Sequence, residues 1–197
     1  MPGAGKSTVG VVLAKTAALE FVDTDLLIQK HTGRKLQEII DNDGIDAFLK
    51  IEGEVISKVD CKNSVIATGG SAVFSENAMN NLRRDGVIVF LDVPLDEIKR
   101  RVDNITTRGI AMKSGETLET VYNERLPLYK KYADITSDLE DSEHRDKKIL
   151  EALQQKNLSG VFKRKKCQTF KKHLTNAYKY YIISNMPLWW NRQTQGT

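Results

Sequence analysis

At 197 residues, 40% apolar and with two tryptophans, the chain is long enough for one sizeable core, and a single domain is the default expectation. No run of about 18 apolar residues occurs, so no transmembrane helix is expected, and no charged-then-apolar leader argues for secretion. The net charge of +4 is unevenly placed: residues 158–197 hold eight Lys/Arg and no acid, leaving 22 basic and 26 acidic residues to residues 1–157. Basic character therefore describes a tail rather than the domain. Cys61 and Cys167 stand far apart with no C-x-x-C pairing, which fits a reducing, cytoplasmic setting and argues against a thiolate metal site.

In chain order, apolar residues from Thr8 to Ala18 recur at helical spacing directly after a glycine-rich start. Glu20–Asp25 (EFVDTD) reads as a short strand ending in acids, and Leu26 to Lys30 opens a helix stopped at the Thr32-Gly33 turn. LQEIIDNDGIDAFLKIEGEVISKV runs helical with an interruption near Asp43-Gly44, and Ser64–Gly70 (SVIATGG) is a β-branched run stopped by paired glycines. Asn77 to Arg84 reads as helix, Val87–Pro94 (VIVFLDVP) as a second buried strand, and Asp96 to Asp103 as an amphipathic helix. A polar loop over 105–116 precedes a helix at Leu118 to Tyr132, a short strand ADITSD, and a closing helix from His144 to Gln155. Strands alternating with helices imply parallel β-α-β units, hence an α/β three-layer sandwich.

Character changes near Asn157, where a basic, aromatic-dotted tail begins. Two boundaries follow: a domain over 1–157 and a tail over 158–197, either a disordered or partly docked extension or a non-native one from read-through or frameshift. Trp189-Trp190 and Tyr178–Tyr181 lie among basic residues, but no recognisable module accompanies them, so no nucleic-acid partner is expected. His31, His144 and His173 share no metal-ligand spacing.

The opening MPGAGKSTVG carries the chemistry. In G-x-x-x-x-G-K-[ST], a loop closing a strand and opening a helix points backbone N–H groups at phosphate oxygens. Gly5, Lys6 and Ser7 supply the second half of that pattern, while its first glycine would fall before Met1. The first strand of the sheet is therefore expected to be missing. Gly3 and Gly5 allow close backbone approach, Lys6 reaches the β/γ oxygens and Ser7 ligates Mg²⁺. Asp23 and Asp25, two apart at a strand end, share a face, where one would hold hydrated Mg²⁺ and the other meet a substrate hydroxyl; the competing reading is a helix cap.

Residues 1 to about 155 resemble the shikimate kinase family of the P-loop, nucleoside-monophosphate-kinase-like fold. The matching pieces are GAGKST, FVDTD, TGRKLQEIIDNDG…FLKIE, ATGGSAV, the arginine of TTRGIAM, and ERLPLY. The resemblance implies a kinase moving the γ-phosphoryl group of ATP to a shikimate hydroxyl with Mg²⁺, acting as a monomer on a small molecule. It implies nucleotide contacts from Gly3, Ala4, Gly5, Lys6, Ser7, Thr8 and Arg108, and a metal site at Ser7 and Asp23. Asp25 would grip the substrate hydroxyls and take the proton. Gly69 and Gly70 would offer backbone to the substrate, Arg108 would cover the phosphates, and Arg125 would hold the substrate carboxylate.

Three departures stand out. The family's F-R-x-x-E reads Phe48-Leu49-Lys50-Ile51-Glu52, removing a charge-assisted contact worth about 1.5–3 kcal/mol, and Glu52 loses a partner with it. Lys50 projects about 100° away around a helix and is a poor replacement. Ser71 replaces the third glycine of G-G-G, and Arg108-Gly109-Ile110 replaces the family's R-P-L-L. A different small hydroxylated acceptor is thus an open alternative, as is a non-catalytic nucleotide-binding remnant. With the first strand absent, the strands ending in DTD and TGG are expected to face an unpaired edge, and the chain to be poorly stable.

Overall fold

The computed structural model describes residues 3–101, 115–138, 149, 151 and 179–183. Among the described residues five parallel strands form one sheet, β1 (Glu20–Asp23), β2 (Ser64–Ala67), β3 (Gly86–Asp92), β4 (Ile135–Asp138) and β5 (Lys179–Ile183), in spatial order β1-β2-β5-β3-β4. The helices are α1 (Lys6–Ala17), α2 (Thr24–Thr32), α3 (Leu36–Asp43), α4 (Ile45–Ser57), α5 (Glu76–Asp85), α6 (Leu95–Arg101) and α7 (Leu118–Tyr132).

The strand sequences dictate the layering. Successive side chains of a strand point to opposite faces, so a run apolar at every position must be covered on both. On one face Ile66, Ile88 and Phe90 pack with Ile56 of α4, Met79 and Leu82 of α5, and Tyr129 of α7. On the other, Val65, Val89 and Leu91 meet Val9, Leu13 and Ala14 of α1 together with Ile149. Phe90 is 2% exposed, which is worth about 1.5–3 kcal/mol of transferred apolar surface. A satellite cluster of Ile28, Ile39 and Phe48 binds α2, α3 and α4 to one another. The three-layer α/β sandwich read from the sequence is the observed fold.

Boundaries differ where side chains intervene. β1 ends at Asp23, two residues early, because the Asp23 carboxylate accepts the Asp25 N–H at 2.9 Å and caps α2. Asp25 thus belongs to a helix's first turn rather than to the strand face it was expected to share with Asp23. The helical break at Asp43-Gly44 is real: Gly44 has φ +85°, a conformation that favours glycine, and separates α3 from α4. The loop at 105–116 lies largely outside the described residues, as does most of the closing helix.

The centre of the sheet departs most from expectation. Among the described residues no strand precedes α1, yet the inner edges of β2 and β3 are not bare. β5, from the basic tail, pairs with both: Ser64↔Lys179 through Ala67↔Ile182 on one side, and Gly86↔Lys179 through Phe90↔Ile183 on the other. The expected unpaired edges are therefore filled by residues 179–183.

Candidate active site

The loop before α1 is shaped for an anion. Gly3 and Gly5 take φ +85° and +82°, conformations that a β-carbon penalises. No side chain caps α1 and its first turn holds no acid, so the first-turn N–H dipoles face outward from the helix start. Ala4 is fully buried among Ile66 and Phe90, and the Arg101 guanidinium donates to the Gly3 carbonyl at 3.2 Å, so the loop is held from the sheet and from α6. Thr8 is exposed on α1, and Arg108 lies outside the described residues.

Lys6 is only 3% exposed, with Asp25, Asp23, Glu52 and Arg125 near enough to shift its titration. Burial lowers its pKa to about 7 against the pull of the three carboxylates. The Asp25 carboxyl is pushed up to about 6 by burial and by Asp23, with Lys6 opposing. Glu52, 1% exposed, is pushed up to about 7 by burial, while Ser71 and Arg125 oppose the rise. Among the described residues its Oε1 has no hydrogen-bond partner.

Gly69 shows how tightly these groups converge: a β-carbon there would collide with Glu52 Oε1 and stand 3.2 Å from Asp25 Oδ1. Its amide already donates to Thr24 Oγ1 at 3.2 Å, so Gly69 contributes space rather than a spare donor. Gly70 offers its carbonyl to the Tyr129 hydroxyl, which donates at 2.6 Å. Arg125, one turn before Tyr129 on α7, is 3% exposed and lies 5.4 Å over the Phe74 ring. Tyr129 in turn stacks on Phe90 with centroids 5.4 Å apart, and burial raises its phenol.

The Ser7 hydroxyl donates to Asp23 Oδ2 at 3.2 Å. Among the described residues no group of three or more His, Cys, Asp or Glu could hold a metal ion. A Ser–Asp pair beside a phosphate loop does fit Mg²⁺, which keeps several waters and takes its other ligands from phosphate oxygens. Asp23 is thus both helix cap and metal candidate.

The structure brings Lys6, Asp25, Gly69 and Arg125 to one locus, with Ser7 and Asp23 joining Lys6 at its loop side. Sequence reading gave no role to Tyr129, Thr24 or Arg101. Only Tyr129 carried a signal, its helical i+4 spacing from Arg125.

A family model described as Shikimate kinase matches residues 2–157. A shikimate kinase of Clostridium botulinum (strain Eklund 17B / Type B) is 35% identical over 132 residues, covering 66% of this chain and 79% of the relative. Shikimate kinase 1 of Salmonella newport is 36% identical over 143 residues, covering 71% and 83%. Among solved structures, shikimate kinase from Acinetobacter baumannii in complex with shikimate superposes with a TM-score of 0.67 at 28% identity, covering 80% of this chain and 92% of that one. The Aquifex aeolicus shikimate kinase gives 0.66 at 31%, covering 80% and 94%. With the match running from the phosphate loop to beyond β4, the chain belongs to the shikimate kinase family.

Proposed function

We propose that the chain transfers the γ-phosphoryl group of ATP to a hydroxyl of shikimate. The observation that carries this reading is the convergence of Lys6, Asp25, Glu52, Gly69 and Arg125 beside the open start of α1. The loop amides and Lys6 hold the β- and γ-phosphates; bound polyphosphate restores the Lys6 proton that burial weakens. Asp25, with a pKa near 6, accepts the hydroxyl proton as the oxygen attacks. Arg125 presents a planar fork to the acceptor's carboxylate, oriented by Phe74 and by the packing of α7. Tyr129 fixes the Gly70 carbonyl and with it the floor beneath the acceptor. Ser7 and Asp23 would hold Mg²⁺, which when bound neutralises the polyphosphate charge. Arg108 would cover the phosphates from the segment over 102–114. The finer reading is of a monomer in the cytoplasm; the two cysteines, far apart in sequence, support the reducing setting.

One observation favours a second acceptor. Leu49 stands where the family has an arginine and packs half-buried against the Ile28, Ile39 and Phe48 cluster, while Lys50 is exposed. A hydroxylated metabolite with one carboxylate or none would suit that arrangement.

ADP release with Mg²⁺ and ATP, with and without shikimate, tests both. A rate that requires shikimate supports the first reading; ATP binding with shikimate inert and another hydroxylated metabolite active supports the second. Failure to bind ATP refutes both.

A further inference from the structure

The middle of the sheet is assembled from opposite ends of the chain. β5 runs parallel to both neighbours, and its last residues, Ile182 and Ile183, stand level with Ala67 and Phe90. This is the end of the sheet from which Thr68 and Gly69 emerge. The same end receives the phosphate loop: Ala4 packs with Ile66 and Phe90, whose register partners in β5 are Tyr181 and Ile183. α1 also lies against β5. In a strand–loop–helix phosphate motif, the strand before the loop ordinarily anchors it through the backbone. Here the strand in that place, β5, is separated from the loop by nearly the whole chain.

The segment suits the position. Lys179–Ile183 (KYYII) is aromatic and β-branched, with no glycine, proline or acid, a composition that favours strand. Residues 139–178 separate it from β4, ample for a parallel return, which needs a dozen or more. A buried parallel position also demands that both backbone edges be paired, and β5 pairs on both sides.

We infer that β5 is a central strand supplied from a part of the chain remote from the phosphate loop: docking of residues 179–183 between β2 and β3 completes the sheet and sets the phosphate loop in its binding position. Tail docking and nucleotide binding then stabilise one another, because coupling between two events is reciprocal. The docking stands on the strand register; the coupling rests on the nucleotide-binding reading above.

Hydrogen exchange of the full chain without nucleotide reads the docking directly. Amides of residues 180–183 are expected to be protected about a thousand-fold or more, together with those of β2 and β3. Exchange of 180–183 at free-chain rates, with β2 and β3 protected, overturns the inference. Protection that disappears on dilution as a dimer dissociates would mean the strand comes from a second copy, and overturns its supply in cis. Adding MgATP is expected to slow exchange in β5 and in the first turn of α1 together; a change confined to α1 overturns the coupling. Docked β5 in a chain that binds no ATP overturns the coupling and the kinase reading at once, leaving the docked strand standing. Tyr181→Pro, which withdraws a donor and a strand conformation from the ladder, is expected to abolish the cooperative melt, whereas Thr194→Pro, beyond the strand, is expected to leave it unchanged. A Tyr181→Pro chain that melts like the parent overturns the inference.

Discussion

Glu52 offers the sharpest test of the site's electrostatics. Its carboxyl is 1% exposed, lacks a hydrogen-bond partner at Oε1 among the described residues, and titrates near 7 instead of the ordinary 4.5. The folded state therefore keeps this proton to higher pH than the unfolded chain, and loses stability as pH climbs from about 4.5 to about 7. At about 1.4 kcal/mol per pH unit, a shift of this size is worth about 3 kcal/mol above neutrality. Glu52→Gln removes the ionisation while keeping the volume. Urea melts of both chains between pH 5 and pH 8 should show the stability difference moving by about 2.5 kcal/mol in favour of the variant as pH rises. Comparing the two chains at each pH cancels the contributions of Asp25 and Lys6 to first order. A difference that stays constant across that range, or moves in favour of Glu52, would mean the carboxyl is ionised and paired in the folded state, and the argument fails.

Other consequences are as specific. Tyr129→Phe removes the donor to the Gly70 carbonyl; the melt should show a loss of about 1 kcal/mol, and the acceptor KM should rise more than the ATP KM. Gly69→Ala drives a methyl into Glu52 Oε1 and towards Asp25, so kcat/KM for the acceptor should fall by at least about ten-fold, with ATP affinity nearly retained. Gly53→Ala lies elsewhere: its β-carbon would come 2.7 Å from Ser75 Oγ, the hydroxyl that caps α5 by accepting the Ala78 N–H. Thermal unfolding should report about 1–2 kcal/mol lost, with kinetic constants unchanged. Leu49→Arg should lower the KM for shikimate by about ten- to a hundred-fold if the acceptor carboxylate lies within its reach, at a small cost in stability; an unchanged KM would favour an acceptor without that carboxylate.

The parts of the fold that follow from local chemistry could be read along the chain. SVIA and VIVFL are apolar at every position, which demands cover on both faces, and they became β2 and β3 of a three-layer sandwich. Lys6, Asp23 and Asp25 were singled out by the phosphate-loop pattern and the paired acids, and Arg125 by the resemblance to the family; the structure gathers Lys6, Asp25 and Arg125 at one locus, and their roles are those proposed above. The misreadings came from interactions that local pattern does not encode. Asp23 spends its carboxylate on the Asp25 amide, so β1 stops early and Asp25 enters the site from a helix. Gly69 looked like a backbone donor, yet its amide is engaged by Thr24, across a gap that only the packed structure closes. KYYII carried a strand composition all along, but the slot it fills is defined by Ser64 and Gly86, remote in sequence.

That remoteness also sets an order of events during synthesis. β2 and β3 leave the ribosome long before residue 183, so each passes through a period with its inner hydrogen-bonding edge unpaired. Pairs such as Ser64↔Lys179 close very long loops, which slows folding and prolongs that period. Until residues 179–183 emerge, those open edges are templates for pairing with other chains, so aggregation during synthesis competes with docking of β5.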